Sequence, residues 1–229
     1  MTSERKLLES VLKLTRTGPI AEKFVSRDAG IPIEIAQEML EKFRQKGLIE
    51  YGNNVAEASP KQRVNIAIQA IKLGADLVKV GRLLEWLEFE NITAEAFEAN
   101  RFSVQRRFRF NWTGRRWEID VLACREPLVV CLDCKRWRRG WGRSAIAKAV
   151  EAQMERTKAL AAASSLLQKK IPIDNWRKAV FTPAVASLVA GPLKFHRNAP
   201  VVPIMQLQNF IEELPAHLET LAHYTTSLR

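Results

Sequence analysis

Residues 116–137 read RWEIDVLACREPLVVCLDCKRW. Two apolar runs, 116–124 and 128–137, flank a turn at Arg125-Glu126-Pro127. That is the pattern of two strands joined tightly and therefore antiparallel. An acidic residue interrupts each run: Asp120 in EIDVLA and Asp133 in VVCLDCK, with Lys135 two positions further on. Side chains alternate along a strand, so Asp133 and Lys135 share one face while Leu132 and Cys134 take the other. The short turn brings Asp120 level with Asp133. Two carboxylates at one sheet edge offer hard oxygen donors to Mg2+ or Mn2+. A neighbouring lysine can orient or deprotonate a water and offset charge in a phosphoryl-transfer transition state. A phosphodiester hydrolase needs that composition. The plainer account pairs Asp120 with an arginine and Asp133 with Lys135, because buried charges are normally paired. It explains each residue singly and leaves their convergence without a cause.

Working outward, RFSVQRRFRFNW (101–112) and a Thr113-Gly114 turn add a strand before this pair, giving a three-stranded meander. A helix is expected over 81–99 and an Ala-rich one over 143–168. KAVFTPAVASLV (178–189) and APVVPIMQL (199–207) read as further strands, and LQNFIEELPAHLETL (207–221) as a closing helix. The fold class is α/β, one mixed sheet flanked by helices. Towards the N-terminus, helices are expected over 3–16, 20–27 and from Pro32 onward. The last carries Ile35, Ala36, Met39, Leu40 and Phe43 at helical spacing and stops at Gly47. A small hairpin follows around Gly52-Asn53-Asn54, Ser59-Pro60 marks a boundary, and helix resumes over 61–79. Three segments result: 1–59, a connector at 60–80, and 81–229.

The chain has 229 residues, 47% apolar and 27% charged, with a net charge of +11. This is globular composition, and no apolar run approaches the ~18 residues of a membrane helix. Three cysteines and the absence of a signal-like start fit a reducing cytoplasm. The charge is uneven: residues 1–60 are net 0, whereas residues 101–143 hold 12 basic against 4 acidic groups. Arg106, Arg107, Arg109, Arg115, Arg116, Arg136, Arg138, Arg139 and Arg143 fall there, interleaved with Trp112, Trp117, Trp137 and Trp141. Arginine forks and aromatic faces in one basic stretch point to a nucleic acid. Cys131 and Cys134 form Cys-x-x-Cys, but positions three apart on a strand face opposite ways, so zinc is not expected. His196, His217 and His223 show no catalytic spacing.

Asp120, twelve residues, then Asp133-Cys134-Lys135 resembles the PD-(D/E)xK signature of restriction-endonuclease-like nucleases. LEWLEFENITAEAFEANRF (84–102) together with EIDVLACREPLVVCLDCKRW (118–137) is similar to Mrr-type restriction enzymes and archaeal Holliday-junction resolvases. Ile119 stands where the name-giving proline would be, and Asn100-Arg101 where a glycine commonly ends the first helix. The resemblance implies a metal-dependent DNA endonuclease, with Asp120 and Asp133 as ligands and Lys135 positioning water. It also implies a glutamate on the first helix. Glu85, Glu88 and Glu90 compete; Glu90 falls within the apolar arc of Leu83, Leu84, Leu87, Ala94 and Phe97 and is expected to complete the site as a third metal ligand. Gln153 resembles a glutamine that relatives place near the metal-bound phosphate. LEKFRQKGLIEYGNN (40–54) resembles a winged helix-turn-helix, yet its reading helix would present Glu34, Gln37, Glu38 and Glu41. The N-terminal segment is therefore expected to mediate homodimerisation rather than DNA contact. The alternative is a nucleic-acid-binding regulator on an inactive nuclease fold.

Overall fold

The computed structural model describes residues 2–135, 142–188 and 190–228. Arg136, Arg138 and Arg139, three of the expected DNA contacts, lie outside the described residues. The chain forms two compact units, Met1–Phe89 and Glu90–Arg229. Among the described residues no helix is long and apolar enough to cross a membrane.

The first unit holds α1 (Ser3–Leu14), α2 (Glu22–Ala29), α3 (Ile33–Gln45), α4 (Pro60–Lys72) and α5 (Leu77–Leu83). Strands β1 (Ile20–Ala21), β2 (Glu50–Gly52) and β3 (Val55–Glu57) form a small antiparallel sheet in the order β1-β3-β2. Leu7, Leu8, Val11 and Leu12 recur at helical spacing and are fully buried, as are Ala36, Leu40 and Phe43 of α3. Ile35, expected in that apolar face, is instead exposed. Gln37, expected to be presented outward, turns in and donates to buried Glu22 at 2.6 Å, where Tyr51 also donates. Segment 61–79, expected as one helix, breaks after Lys72, and α4 packs on α1 through buried Arg63. The Arg63 guanidinium meets Glu88 (2.5 Å), the carbonyls of Leu12 (2.6 Å) and Leu83 (2.7 Å), and the Thr15 hydroxyl (3.1 Å). Glu88 also accepts the Glu85 amide at 2.6 Å. That cap starts α6 (Trp86–Ala99) and splits the expected 81–99 helix in two.

The second unit is a mixed sheet between helices. After α6 come β4 (Ser103–Trp112), β5 (Arg115–Arg125), β6 (Leu128–Lys135), α7 (Arg143–Leu167), β7 (Lys178–Ser187), β8 (Phe195–His196), β9 (Ala199–Pro203), α8 (Leu207–His217) and β10 (Tyr224–Ser227). The strand order is β4-β5-β6-β7-β9-β8. β4, β5 and β6 form the expected antiparallel meander, while β6, β7 and β9 run parallel. β10 pairs with Lys178–Phe181 at the start of β7, and β9 with its end. β8 and β10 were not expected from the sequence. α7 makes the β6-to-β7 crossover that a parallel pair requires. Its buried stripe is Ile146, Val150, Gln153, Thr157, Leu160 and Ser164, spaced three or four apart.

One irregularity shapes the meander. β4 and β5 pair from Ser103↔Cys124 to Trp112↔Arg115, except where Arg107 would face Asp120. Arg107 has φ 54°, the left-handed region that a non-glycine residue enters at a cost of about 1–3 kcal/mol. Strict alternation would put Ile119 and Leu122 on opposite faces, yet both join one core cluster with Phe110, Cys131, Leu160 and Phe181. The alternation therefore changes phase at the Arg107–Asp120 level.

Candidate functional site

The β5–β6 ladder runs from Arg125↔Leu128 to Val121↔Leu132, so the next level sets Asp120 opposite Asp133. Directly opposed residues of an antiparallel pair lean to one side. Asp120 extends the ladder with its side chain: its Oδ2 accepts the Cys134 amide at 2.8 Å. Asp133 and Lys135 stand at the carboxyl end of β6, beside parallel β7. In open α/β sheets this is where ligands bind.

Asp133 is 4% exposed. Lys135 Nζ donates to its Oδ1 at 3.0 Å and lies 2.9 Å from its Oδ2, while Arg156 Nη1 donates to Oδ1 at 3.1 Å. Oδ2 is buried and, despite the nearby ammonium, accepts no hydrogen bond from the described residues. Burial drives the Asp120 carboxyl up to about 7, helped by the charges of Asp133 and then Glu90; the Cys134 amide and Lys135 oppose the rise. A carboxylate so placed is short of positive charge.

Glu90 is the glutamate turned towards this cluster. It is 2% exposed and bonded to Arg107 Nε at 2.9 Å. Its two rivals are engaged within the first unit: Glu88 with Arg63, and exposed Glu85 with Arg16 at 3.3 Å. Gln153 is buried; its amide donates to the Cys131 carbonyl at 2.9 Å and its oxygen accepts from Arg156 at 3.1 Å. It therefore ties α7 to β6 and steers Arg156 onto Asp133. Arg156 was missed by sequence reasoning. The available signal was a cation three residues beyond Gln153, on the flank of the buried stripe. Cys124, Cys131 and Cys134 are buried, and desolvation pushes all three thiols up, Cys131 to about 12. Such thiols are poor nucleophiles and poor metal ligands.

The donor chemistry fits a hard cation in part. Asp120 and Asp133 supply carboxylate oxygens, and buried Oδ2 of Asp133 accepts no hydrogen bond from the described residues. Among the described residues no three His, Cys, Asp or Glu groups form a metal-holding cluster. Mg2+ suits such a place, because one or two carboxylates usually hold it together with waters and substrate phosphate.

The expected DNA-contacting arginines fall into two sets. Arg106 pairs with Glu98 (3.0 Å), Arg107 with Glu90, Arg109 with Glu118 (2.6 Å), and Arg115 with Glu155 (3.9 Å) while lying over the Trp117 ring. Arg116, and Arg143 at the start of α7, have no ion pair among the described residues.

No family model matches the chain. Among solved structures it is similar to protein VC1899 from Vibrio cholerae, with 10% identity and a TM-score of 0.39 over 95% of this chain and 52% of that one. It thus spans about half the length of VC1899, and the likeness is too slight to define a fold. In sequence it is 30% identical over 136 residues to an uncharacterized protein of Archaeoglobus fulgidus, a match covering 59% of this chain and 95% of the relative. The chain belongs to the family of that archaeal protein.

Proposed function

We propose that the chain is a divalent-metal-dependent DNA endonuclease, with a restriction-endonuclease-like second unit and a winged helix-turn-helix first unit. The observation that carries this reading is the level pairing of Asp120 with Asp133, beside Lys135, at the carboxyl end of a parallel strand. The order helix, antiparallel meander, helix, parallel strand supports it. Asp120 and Asp133 would hold Mg2+ or Mn2+, which when bound polarises a phosphoryl oxygen and lowers the pKa of a water. Lys135 directs a proton-bearing donor into the same place and can orient that water. Glu90, held by Arg107, adds negative charge behind Asp120, and Gln153 positions Arg156. The first unit, net 0 over residues 1–60, would join two copies as a homodimer in the cytoplasm.

The test is a cleavage panel of duplex, branched, flap and single-stranded DNA, plus RNA, with Mg2+, Mn2+ or EDTA. Asp133→Ala and Lys135→Ala should each lower metal-dependent cleavage by more than about a hundredfold, the scale of losing one transition-state stabiliser. Cleavage equal to wild type in both variants would refute the reading. One observation favours a second reading, a binding regulator that hydrolyses nothing: Asp133 already carries two cations, Lys135 and Arg156. Under that reading no DNA is cut with any metal, and binding is the same in EDTA.

A further inference from the structure

The far end of the β4–β5 hairpin holds a cleft of about 430 Å³ lined by Arg109, Phe110, Asn111, Arg116, Leu167 and Lys170. Its geometry follows from the register. Arg109 faces Glu118 and Asn111 faces Arg116 across the ladder. Gln105 donates to the Lys170 carbonyl at 3.0 Å, which fixes the turn after α7 against β4. Phe110 and Leu167 give the cleft an apolar floor.

Charge bookkeeping separates this cleft from the rest of the hairpin. Arg106, Arg107, Arg109 and Arg115 each have a carboxylate partner. Arg116 and Lys170 have none among the described residues, and both are exposed. Arg125, at the other end of β5, also lacks a carboxylate but donates to the Asn100 carbonyl and lies over the Phe102 ring. Arg116 is thus the hairpin cation left without a side-chain partner among the described residues, and it lines this cleft together with Lys170. Arginine and lysine lining one cleft together with an asparagine amide match a phosphodiester oxygen in charge and in donors.

We propose that this cleft binds the backbone phosphates of a DNA strand. A small phosphate compound could occupy the cleft but leaves unused the exposed guanidinium groups of Arg109 and Arg115 beside it, whereas a strand carries further phosphates to them. The site rests on the DNA reading of the chain and is independent of hydrolysis, since contact with the backbone needs no metal.

The experiment measures binding of a labelled 20-base-pair duplex and a labelled 20-nucleotide strand to the full chain in EDTA, across NaCl concentrations. The Arg116→Gln/Lys170→Gln protein is compared with wild type and with Lys61→Gln/Lys72→Gln, which removes two exposed charges elsewhere. Each phosphate contact contributes a salt slope of about 0.9 on duplex or 0.7 on single strand. Loss of two contacts should flatten the slope by about 1.4–1.8 and weaken binding about 25- to 60-fold at 0.1 M salt. The control should change less than about threefold. Equal losses in both double variants, or no loss in the first, overturn the proposal. Inorganic phosphate is titrated separately. If it binds the wild type and not the Arg116→Gln/Lys170→Gln protein while their DNA affinities match, the cleft takes a small anion and the assignment to a strand falls. Cleavage is not read, so absence of nuclease activity would defeat the proposed function and leave this result standing.

Discussion

Replacing Asp120 by asparagine isolates the charge that the site tolerates least. The Asn oxygen can still accept the Cys134 amide, so the change removes the ionisable proton and little else. Burial and the neighbouring carboxylates lift the Asp120 carboxyl from 3.8 to about 7. A carboxyl with a raised folded-state pKa is stabilising to no one once it ionises: stability is undiminished below about 4, falls as pH rises from 4 to 7, and stays reduced above 7. At 1.36 kcal/mol per unit, the cost is about 1.6 kcal/mol at pH 5 and about 4 kcal/mol at pH 8. Asp120→Asn should therefore stabilise the metal-free protein at pH 8 by roughly 2–3 kcal/mol more than at pH 5. For a chain of this size that is a difference of about 5–10 °C in Tm gain. Thermal unfolding in EDTA at the two pH values measures it. With millimolar Mg2+ at pH 8 the wild type should regain part of the difference and the variant should not. A variant no more stabilised at pH 8 than at pH 5 would refute the claim that Asp120 is held against its charge.

Two further substitutions probe the cations. Arg63→Ala leaves Glu88 buried without its partner and strips donors from the Leu12 and Leu83 carbonyls; urea unfolding should show the first unit losing about 3–5 kcal/mol, and a loss below about 1 would contradict its burial as a working ion pair. Arg156→Gln removes one of the two cations on Asp133. Arg156 and a metal ion compete for the same carboxylate, so calorimetry without DNA should find Mn2+ bound more tightly by the variant. Unchanged or weaker Mn2+ binding would mean that Arg156 does not compete for Asp133.

The meander and its two aspartates were legible because the alternation in β5 and β6 is strong and the acidic residues violate it. The apolar arc that singles out Glu90 does not survive: Leu83 and Leu84 precede α6 and Leu87 is exposed, so of its members only Ala94 and Phe97 share buried helix with Glu90. Arg156 was not legible, because an arginine at the edge of a buried stripe has the same pattern whether it meets a carboxylate or water. The phase change at Arg107 carries no sequence signal at all: neither glycine nor asparagine marks the left-handed backbone, and tertiary packing overrides the local preference. The split of the 81–99 helix depends on Glu88 capping the Glu85 amide while bonded to Arg63 from α4, a long-range cause. β8 and β10 escaped because two and four residues at the rim of a sheet have too little pattern to register.

The phase change at Arg107 also bears on how the hairpin finds its pairing. In a regular hairpin, sliding one strand by two residues keeps every apolar side chain on its own face, so the error is cheap and can persist. β4 and β5 each invert their alternation once, and the inversions coincide in one register alone. A two-residue slip would move them apart and turn the side chains between them to water. Misaligned pairings of β4 with β5 are thereby raised in energy, and the aspartate at the inversion is delivered to the same place each time the chain folds.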